Sequence, residues 1–332
     1  MDFVKSLGLV AINPSLSIPV VESAEKIIVP PFLKPGSLIG ITSPAGYIST
    51  ADIEPCMRWL ENWGFEVKVG ASVGKQWNTF GGTDEERLAD LQEMINNNRM
   101  DAIMCARGGY GMVRIIDRID FSPLRNHPKW LLGFSDITVL HAHLQSVVGV
   151  ASIHCKMCNS FPADMQLASD EQIRSIDSIR NCLVGKSSYQ FPYSSFNKTG
   201  NCEGILVGGN LRTLVSLSGS VSDINTDGKI LFLEDTGEYL YSIDRMFWNL
   251  ARSGKLSKLK GLLIGGIKTK PDDPGEEFGM PVEEIILEKL KQYDYPVAFN
   301  LPVGHQKANV ALKCGVNYRM SVTDSYTDLT EI

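Results

Sequence analysis

The first half of the chain alternates short apolar segments with helical patterns, and this alternation restricts the fold more than any other feature. Apolar segments of strand length stand at 37–42, 65–69, 102–106, 130–132 and 148–153. Helical patterns lie between them, and one opens with a capping box at Thr83–Glu86. Alternating elements of this size predict a parallel sheet covered by helices. We therefore expect an α/β fold whose ligands bind beyond the carboxyl ends of the strands.

A serine stands at one of these strand ends. The apolar segment 130–132 leads into Gly133 and Ser135, and a helical pattern starts at Asp136. This order predicts a turn on which the Ser135 hydroxyl stands clear of the sheet, near backbone N–H groups that favour negative charge. The layout is that of a nucleophile elbow, although Ile137 replaces the second glycine of the usual Gly-x-Ser-x-Gly motif. A helix cap is the alternative interpretation, because Ser and Asp are common N-cap residues.

The second half of the chain repeats the alternation of strands and helices. It begins near Glu203 and contains apolar segments that end at Glu234 and lead into His305. Its final stretch, 309–322, predicts one or two edge strands, and a polar segment between the halves predicts a connector or a flap. We expect four regions: a weakly ordered leader at 1–30, an N-terminal α/β domain with a parallel, Rossmann-like sheet at 31–160, a connector or flap at 161–200, and a smaller C-terminal α/β domain at 201–332.

Three polar residues of different chemistry follow apolar strands. Ser135, Glu234 and His305 stand at such positions, and none belongs to the polar face of a helix. Nucleophilic acyl transfer needs a hydroxyl nucleophile, an imidazole that takes its proton and a carboxylate that holds the imidazole. Taken one at a time, Glu234 could instead pair with an arginine such as Arg245, and His305 could be an ordinary loop histidine. The three residues together favour a Ser-His-Glu triad.

Several longer motifs stand in a consistent order along the chain. They are Leu33–Gly36, Ser43–Gly46, Gly81–Arg87, Cys105–Gly111, Gly133–Thr138, Gly208–Leu211, Leu233–Glu238 and Gly304-His305. With these motifs the sequence resembles the LD-carboxypeptidase family of serine peptidases, which includes muramoyl-tetrapeptide carboxypeptidases and microcin-C immunity peptidases. The resemblance extends from Leu33 to about Val322 and covers nearly the whole chain.

The resemblance implies an active site in the cleft between the two domains. The family's nucleophile falls on Ser135, its carboxylate on Glu234 and its base on His305, the residues that the strand ends had already indicated. Its oxyanion hole consists of backbone amides, which fall on Asp136 and on Gly108–Gly109, and glycine lets backbone approach a substrate closely. The implied activity is a serine carboxypeptidase reaction that removes the terminal D-alanine from a murein tetrapeptide, without a metal or an organic cofactor.

Three further residues are candidates for substrate binding. Arg107, beside the glycine loop, could hold a substrate carboxylate bidentately, or it could fix the loop. Tyr110 follows the glycines, where the alternative is a loop that binds no ligand. His154 lies in the stretch Ile153–Met157, where relatives more often carry His-Gly-Pro-Met, so this departure leaves the substrate fit near His154 open.

Composition and spacing argue against other functional classes. A net charge of −6 does not suit a nucleic-acid or anionic-membrane surface. A metal site could be suggested by His141, His143, His154, Cys155 and Cys158. However, His141 and His143 are two positions apart and would face different sides of a helix, and Cys155 and Cys158 lack a second pair at zinc spacing. We therefore predict no metal site. The predicted partner is a small peptide, with no nucleic acid and no membrane, and a homodimer is one option for the assembly.

The amino terminus leaves the localisation open. The segment Phe3–Ile12 has one lysine and an apolar run shorter than that of a usual signal peptide. It resembles the back half of an export signal. We predict a cytoplasmic protein with a weakly ordered leader, and export to the periplasm is the alternative.

Two other functions compete with the murein assignment. One is a microcin-immunity type of peptidase that acts on a peptidyl-nucleotide, and the other is a non-catalytic murein-peptide binding protein. By resemblance, microcin-type relatives clamp a nucleotide base with aromatic residues, including a tryptophan, from a loop that corresponds to 161–198. This segment has no tryptophan here. Tyr189, Phe191 and Tyr193 share one face of an extended segment, which predicts packing against the second domain.

Overall fold

The computed structural model describes residues 27–164 and 166–332, which form two β-sheets flanked by helices. The strands are β1 Leu38–Thr42, β2 Glu66–Val69, β3 Met100–Cys105, β4 Trp130–Gly133, β5 Ser152–His154, β6 Ser188–Pro192, β7 Gly200–Asn210, β8 Ile230–Glu238, β9 Gly261–Thr269, β10 Val297–Ala298, β11 Leu312–Cys314, β12 Asn317–Val322 and β13 Tyr326–Glu331. The α-helices are α1 Thr50–Asn62, α2 Asp84–Asn96, α3 Pro123–Asn126, α4 Thr138–His143, α5 Asp170–Val184, α6 Leu211–Ser216, α7 Leu240–Arg252 and α8 Val282–Leu290. This arrangement confirms the predicted fold class.

The first sheet positions the three loops that the sequence marked for ligand binding. Its strand order is β11-β5-β4-β3-β1-β2, and β1 to β5 pair in parallel. The order reverses between β1 and β3, so the chain leaves these two strands in opposite directions and opens a crevice at their carboxyl ends. The loops after β1, β3 and β4 therefore meet at one edge of the sheet.

The end of the chain returns to the first sheet before it completes the second. Strand β11 pairs antiparallel with β5 and forms the edge of the first sheet. Strand β12, in contrast, lies inside the second sheet between β7 and β13. The prediction that 309–322 contains only edge strands is therefore wrong for β12, and β13 was not predicted. Local patterns indicate a strand but not its neighbours, because pairing depends on tertiary packing.

The second sheet has the strand order β10-β9-β8-β7-β12-β13-β6. Strands β7 to β10 pair in parallel, and the remaining pairs are antiparallel. Strand β6 comes from the predicted connector and hydrogen-bonds along β13 at the sheet edge. The prediction of a connector or flap is corrected for this strand, which is an integral part of the sheet. The four-region division otherwise stays a prediction.

Hydrogen bonds hold both ends of α2, and the sequence indicates those at its start. The Thr83 Oγ1 atom accepts the Glu86 N–H at 3.2 Å, and the Glu86 carboxylate accepts the Thr83 N–H at 2.9 Å. These two bonds form the predicted capping box. At the other end, the buried Lys129 ammonium donates to the carbonyls of Ile95 and Asn97 at 2.8 Å each. Lys129 thereby ties the start of β4 to the end of α2.

The predicted leader, 1–30, lies outside the described residues except for its last four positions. Within that part, Ile28 forms a parallel bridge with Val150. In the described part of the chain, no helix is both long enough and apolar enough to cross a bilayer. The predicted localisation stays a prediction.

Candidate active site

Ser135 lies on the turn between β4 and the helical segment that follows it. Its φ angle is +64°, a left-handed conformation that costs a non-glycine residue about 1–3 kcal/mol. Neither polar side chain of this turn caps the helix. The Asp136 carboxylate accepts the N–H of Met112 at 2.8 Å, and the Ser135 hydroxyl contacts His305. The structure therefore contains the strained elbow and not the alternative helix cap.

Ser135, His305 and Glu234 form one chain of hydrogen bonds between the two sheets. The Nε2 atom of His305 lies 2.9 Å from Oγ of Ser135, and Nδ1 lies 2.7 Å from Oε2 of Glu234. The same carboxylate oxygen accepts the backbone N–H of His305 at 3.1 Å. Glu234 is fully buried, so its charge acts on the imidazole in surroundings that screen it little. Such an arrangement can hold the imidazole in the tautomer that accepts a serine proton.

The position of Glu234 depends on a bulge and on a glycine. Glu234 lies within β8, which continues to Glu238, so the carboxylate does not follow the strand as the sequence predicted. The register between β8 and β9 shifts beside Glu234, and a bulge of this kind re-aims a side chain. Gly304 has a φ of +106°, and a Cβ at this position would lie 2.5 Å from the Glu234 Cβ. Glycine at 304 thus lets His305 reach the carboxylate.

The glycine loop after β3 passes directly beside Ser135. A Cβ on Gly108 would lie 3.0 Å from the Cβ of Ser135, so a side chain there would crowd the hydroxyl. The Gly108 carbonyl accepts the N–H of Gly46 at 2.8 Å. Because a trans peptide points its C=O and N–H in opposite directions, this bond turns the Gly109 N–H away from Gly46. Gly109 and Asp136 both line the cavity in front of Ser135, where their amides could stabilise an oxyanion.

Arg87 holds two of these loops together, although the sequence patterns did not indicate it as a site residue. Its guanidinium is fully buried and donates to the carbonyls of Pro44 and Gly111 at 2.5 and 2.9 Å. It also pairs with Asp84. Arg87 therefore joins the loop after β1 to the loop after β3. The available signal was the motif Gly81–Arg87, which ends at this arginine.

The Asp136 carboxylate couples the elbow to the glycine loop. Besides the Met112 N–H, the N–H of Gly111 also interacts with this carboxylate. Burial raises the pKa of Asp136 to about 6, and the two N–H groups and Arg87 act in the opposite direction. The residue that follows the serine thus supplies both a backbone amide and a side chain to the site. The two candidate oxyanion amides belong to one hydrogen-bonded unit.

Two cavities meet at His305. The first has a volume of about 350 Å³ and is lined by Ser135, His305 and Tyr110, with residues of the second sheet on the other side. The second has a volume of about 460 Å³ and is lined by Gly266, Ile267, Lys268, His305, Gln306 and Lys307. Ser135 does not line the second cavity. The histidine therefore lines both cavities.

The structure separates the candidates for substrate binding in the first domain. Tyr110 is 53% exposed and lines the first cavity. Arg107 does not line this cavity, and its guanidinium donates to the Tyr47 carbonyl at 2.9 Å. This bond supports the alternative, in which Arg107 fixes the loop, and a contact of Arg107 with a substrate carboxylate stays a prediction. For Glu234, the alternative partner Arg245 instead packs over a tyrosine ring.

His154 lies beneath the site and not in it. Its side chain is fully buried, and its ring packs against Phe134 and Phe232 at centroid distances of 5.7 and 5.0 Å. Phe134 in turn contacts the ring of His305 at 4.8 Å. Burial lowers the pKa of His154 well below its usual range, and His141 and His305 lower it further. His154 is thus a packing residue behind the base, and its assignment as a substrate-binding residue is corrected.

His141 and His143 have hydrogen-bond partners within the protein. The two ring nitrogens of His141 lie 2.9 Å from the Gly133 carbonyl and 2.8 Å from the Ser152 hydroxyl. His143 contacts the Ser222 hydroxyl at 2.9 Å. Within residues 27–164 and 166–332, no group of three or more His, Cys, Asp or Glu side chains is placed to hold a metal ion. His141 supports the strand that leads into the elbow.

The second domain supplies cavity residues that the sequence patterns did not indicate. Asn210, Arg212 and Asp235 line the first cavity. Asp235 accepts the backbone N–H of Arg212 at 2.8 Å, and burial raises its pKa to about 6. The backbone N–H of Asn210 donates to the Thr138 hydroxyl at 3.0 Å, which joins α6 to α4. The signal for this region was the Gly-Gly-Asn motif at the end of β7.

The fold and the site define an α/β protein of the serine-hydrolase type, in which a serine, a histidine and a carboxylate meet between two sheets. A family model described as the LD-carboxypeptidase N-terminal domain matches residues 39–155, and one described as the LD-carboxypeptidase C-terminal domain matches residues 203–320. The chain belongs to the LD-carboxypeptidase family, as the sequence motifs predicted.

Named relatives come from several bacteria. A Bacillus subtilis protein named "Probable murein peptide carboxypeptidase" is 32% identical over 308 residues, which cover 89% of this chain and 92% of the relative. The murein tetrapeptide carboxypeptidase of Pseudomonas aeruginosa is 30% identical over 287 residues, which cover 83% and 91%. The crystal structure of the muramoyltetrapeptide carboxypeptidase from Oxalobacter formigenes has a TM-score of 0.79 at 28% identity and covers 89% of this chain and 98% of its own.

Proposed function

We propose that the protein is a serine-type LD-carboxypeptidase that removes the terminal D-alanine from murein tetrapeptides. The observation that carries this proposal is the hydrogen-bonded chain from Ser135 through His305 to Glu234, which faces a cavity of about 350 Å³. The names of the relatives support the substrate class. A protein that only bound murein peptides would not need a strained serine aligned with an imidazole, so an enzyme is the better supported alternative.

In the proposed reaction, His305 removes the proton of the Ser135 hydroxyl while Glu234 holds the opposite ring nitrogen. The Ser135 oxygen attacks the carbonyl carbon of the amide that joins D-alanine to the L-centre of diaminopimelate. The negative charge that develops on the carbonyl oxygen is stabilised by the amides of Asp136 and Gly109. Removing one oxyanion donor typically costs about 10²- to 10³-fold in rate, so this stabilisation matters as much as the positioning of the base.

The second half of the reaction uses the same residues in reverse roles. His305 gives its proton to the leaving nitrogen, the C–N bond breaks, and D-alanine departs. The acyl group then remains as an ester on Ser135. A water molecule loses a proton to His305 and attacks the ester carbonyl, which releases the shortened peptide and restores the Ser135 hydroxyl.

The test is to incubate the protein with purified murein tetrapeptide and to follow the loss of alanine by mass spectrometry. We expect turnover by the wild-type protein and a loss on the order of 10⁴- to 10⁶-fold in Ser135→Ala, because triad members act as a unit. Circular dichroism should show an unchanged fold. A Ser135→Ala protein that keeps a tenth of the wild-type activity would rule out Ser135 as the nucleophile.

A further inference from the structure

The two cavities at His305 can be assigned to the two sides of the scissile bond. The acyl group becomes bonded to Ser135, so it must occupy the cavity that Ser135 lines. The leaving amine receives its proton from His305, which also lines the second cavity. Lys268 and Lys307 line that second cavity and can face the terminal carboxylate of the leaving residue. The first cavity therefore binds the residue on the acyl side of the scissile bond.

Among the described residues that line this acyl cavity, Arg212 is the only arginine or lysine. Its side chain is 68% exposed and pairs with Glu238. Glu238 is nearly buried and also accepts the Ser242 hydroxyl at 2.8 Å, while Asp235 holds the backbone N–H of Arg212. The guanidinium is thus anchored before a ligand arrives. One terminal nitrogen of Arg212 donates to Glu238. Within the described part of the chain, the other N–H donors of the planar group have no hydrogen-bond partner, so they can donate to a ligand.

The acyl cavity can hold one particular side chain. Ser135 and Arg212 line the same cavity of about 350 Å³. From the acyl carbon, an extended diaminopimelate side chain spans about 7–8 Å to its distal carboxyl carbon, and a hydrogen bond adds about 3 Å to this reach. An acyl group bonded to Ser135 can therefore present its distal carboxylate within the cavity that Arg212 lines.

We propose that Arg212, held by Glu238, binds the free distal carboxylate of the diaminopimelate residue, so that the enzyme selects stem peptides that carry this charge. The proposal rests on the proposed function and names the group that the acyl cavity recognises. A planar guanidinium pairs bidentately with a carboxylate. An amidated or absent distal carboxyl would leave Arg212 without this partner.

The test compares two tetrapeptides that differ only at the distal carboxyl group, which is free in one and amidated in the other. For the wild-type protein we expect kcat/KM to favour the free acid by about ten- to a hundredfold, the effect of one hydrogen bond to a charged group. For Arg212→Met the two peptides should react about equally. The variant should fold, because the Arg212 side chain is mostly exposed and Glu238 keeps its hydrogen bond from the Ser242 hydroxyl.

Arg319→Met is the matched control. Arg319 is an exposed arginine paired with Glu203 at 2.7 Å, and Glu203 precedes Asn210 by seven residues of β7, or roughly 23 Å. This variant should keep the wild-type preference. An Arg212→Met protein that still prefers the free acid would overturn the proposal. A third peptide is amidated at the terminal D-alanine and keeps its free distal carboxyl group. If Arg212→Met removed only the preference of the enzyme over this third peptide, Arg212 would bind the terminal carboxylate instead, and the proposal would be refuted.

A binding measurement separates this proposal from the proposed reaction. Calorimetry with the Ser135→Ala protein measures Kd for the tripeptide product with a free or an amidated distal carboxyl group, and it needs no turnover. If the wild-type protein released no alanine, the reaction would be refuted. The Ser135→Ala protein could still bind the free acid more tightly than the amidated peptide. If the double variant Ser135→Ala with Arg212→Met lost this difference in Kd, the result would still support Arg212 as the carboxylate ligand. Equal Kd values would refute it.

Discussion

The Oγ atom of Ser135 lies 2.9 Å from Nε2 of His305, although 170 residues separate them in the sequence. The serine belongs to the turn after β4 of the first sheet, and the histidine belongs to the loop after β10 of the second sheet. The two sheets must therefore pack correctly before this contact forms.

Glu234→Gln tests the charge behind the imidazole. Glutamine keeps the size of the side chain but can donate to Nδ1 of His305, which favours the wrong tautomer. We expect kcat to fall by about 10⁴-fold, as for a comparable change in a serine protease triad. Steady-state kinetics on murein tetrapeptide measure the loss. Glu203→Gln, which changes an exposed ion pair, is the control, and a Glu234→Gln activity within tenfold of wild type would contradict the assigned role.

Gly108→Ala tests the close approach of the glycine loop to the nucleophile. The new Cβ would lie 3.0 Å from the Ser135 Cβ and 3.3 Å from its Oγ, so the loop or the serine must shift. We expect a loss of about 10²- to 10³-fold in kcat, the effect of losing one oxyanion donor. Gly185→Ala is the control, because its nearest neighbour to a new Cβ lies at 4.0 Å. Equal activity of the two variants would argue against the loop's role.

Asp136→Asn tests the buried carboxylate through the pH dependence of stability. Because the pKa in the folded state is raised to about 6, ionisation of Asp136 destabilises the fold, and stability present at low pH is lost as pH rises through 6. Asparagine does not ionise. The free energy of unfolding of the variant, relative to wild type, should therefore increase by about 2 kcal/mol between pH 4.5 and 7.5. Denaturant titrations at both pH values measure it, and a constant difference would contradict the raised pKa.

Chelators should leave the activity unchanged. The proposed proton transfers need only Ser135, His305 and Glu234, and the described residues offer no set of three metal ligands. We expect equal kcat/KM for murein tetrapeptide before and after dialysis against EDTA. Inhibition that added zinc reverses would contradict this prediction and would direct attention to His154 and Cys158.

The murein peptide should be preferred over an aspartyl-adenylate analogue by at least about tenfold in kcat/KM. Base–aromatic stacking is worth roughly 1–3 kcal/mol per base, and two aromatic residues of the predicted connector, Tyr189 and Phe191, are used for packing. Phe191 is buried, and Tyr189 stacks on it and donates to the Ala311 carbonyl at 2.6 Å. Tyr193 is exposed. Steady-state kinetics give kcat/KM for both substrates. An equal or higher kcat/KM for the adenylate analogue would contradict the murein assignment.

Features that depend on residues a few positions apart could be predicted from the sequence. The capping box at Thr83 and Glu86 forms as its spacing indicates, because both hydrogen bonds lie within one helical turn. The strand, the serine and the helix that follow one another at 130–143 also depend on local order. The family motifs then predicted which serine, glutamate and histidine would be brought together.

The tertiary structure alone decided which residues surround that serine. The sequence determined the α/β class, the family and the three polar residues at its centre. It did not determine that β11 joins the first sheet while β12 enters the second, that Arg87 ties two loops together, or that His154 is buried and Arg212 lines the cavity. These features are contacts between distant segments, and their geometry is set by the packing of both sheets, which no local pattern encodes.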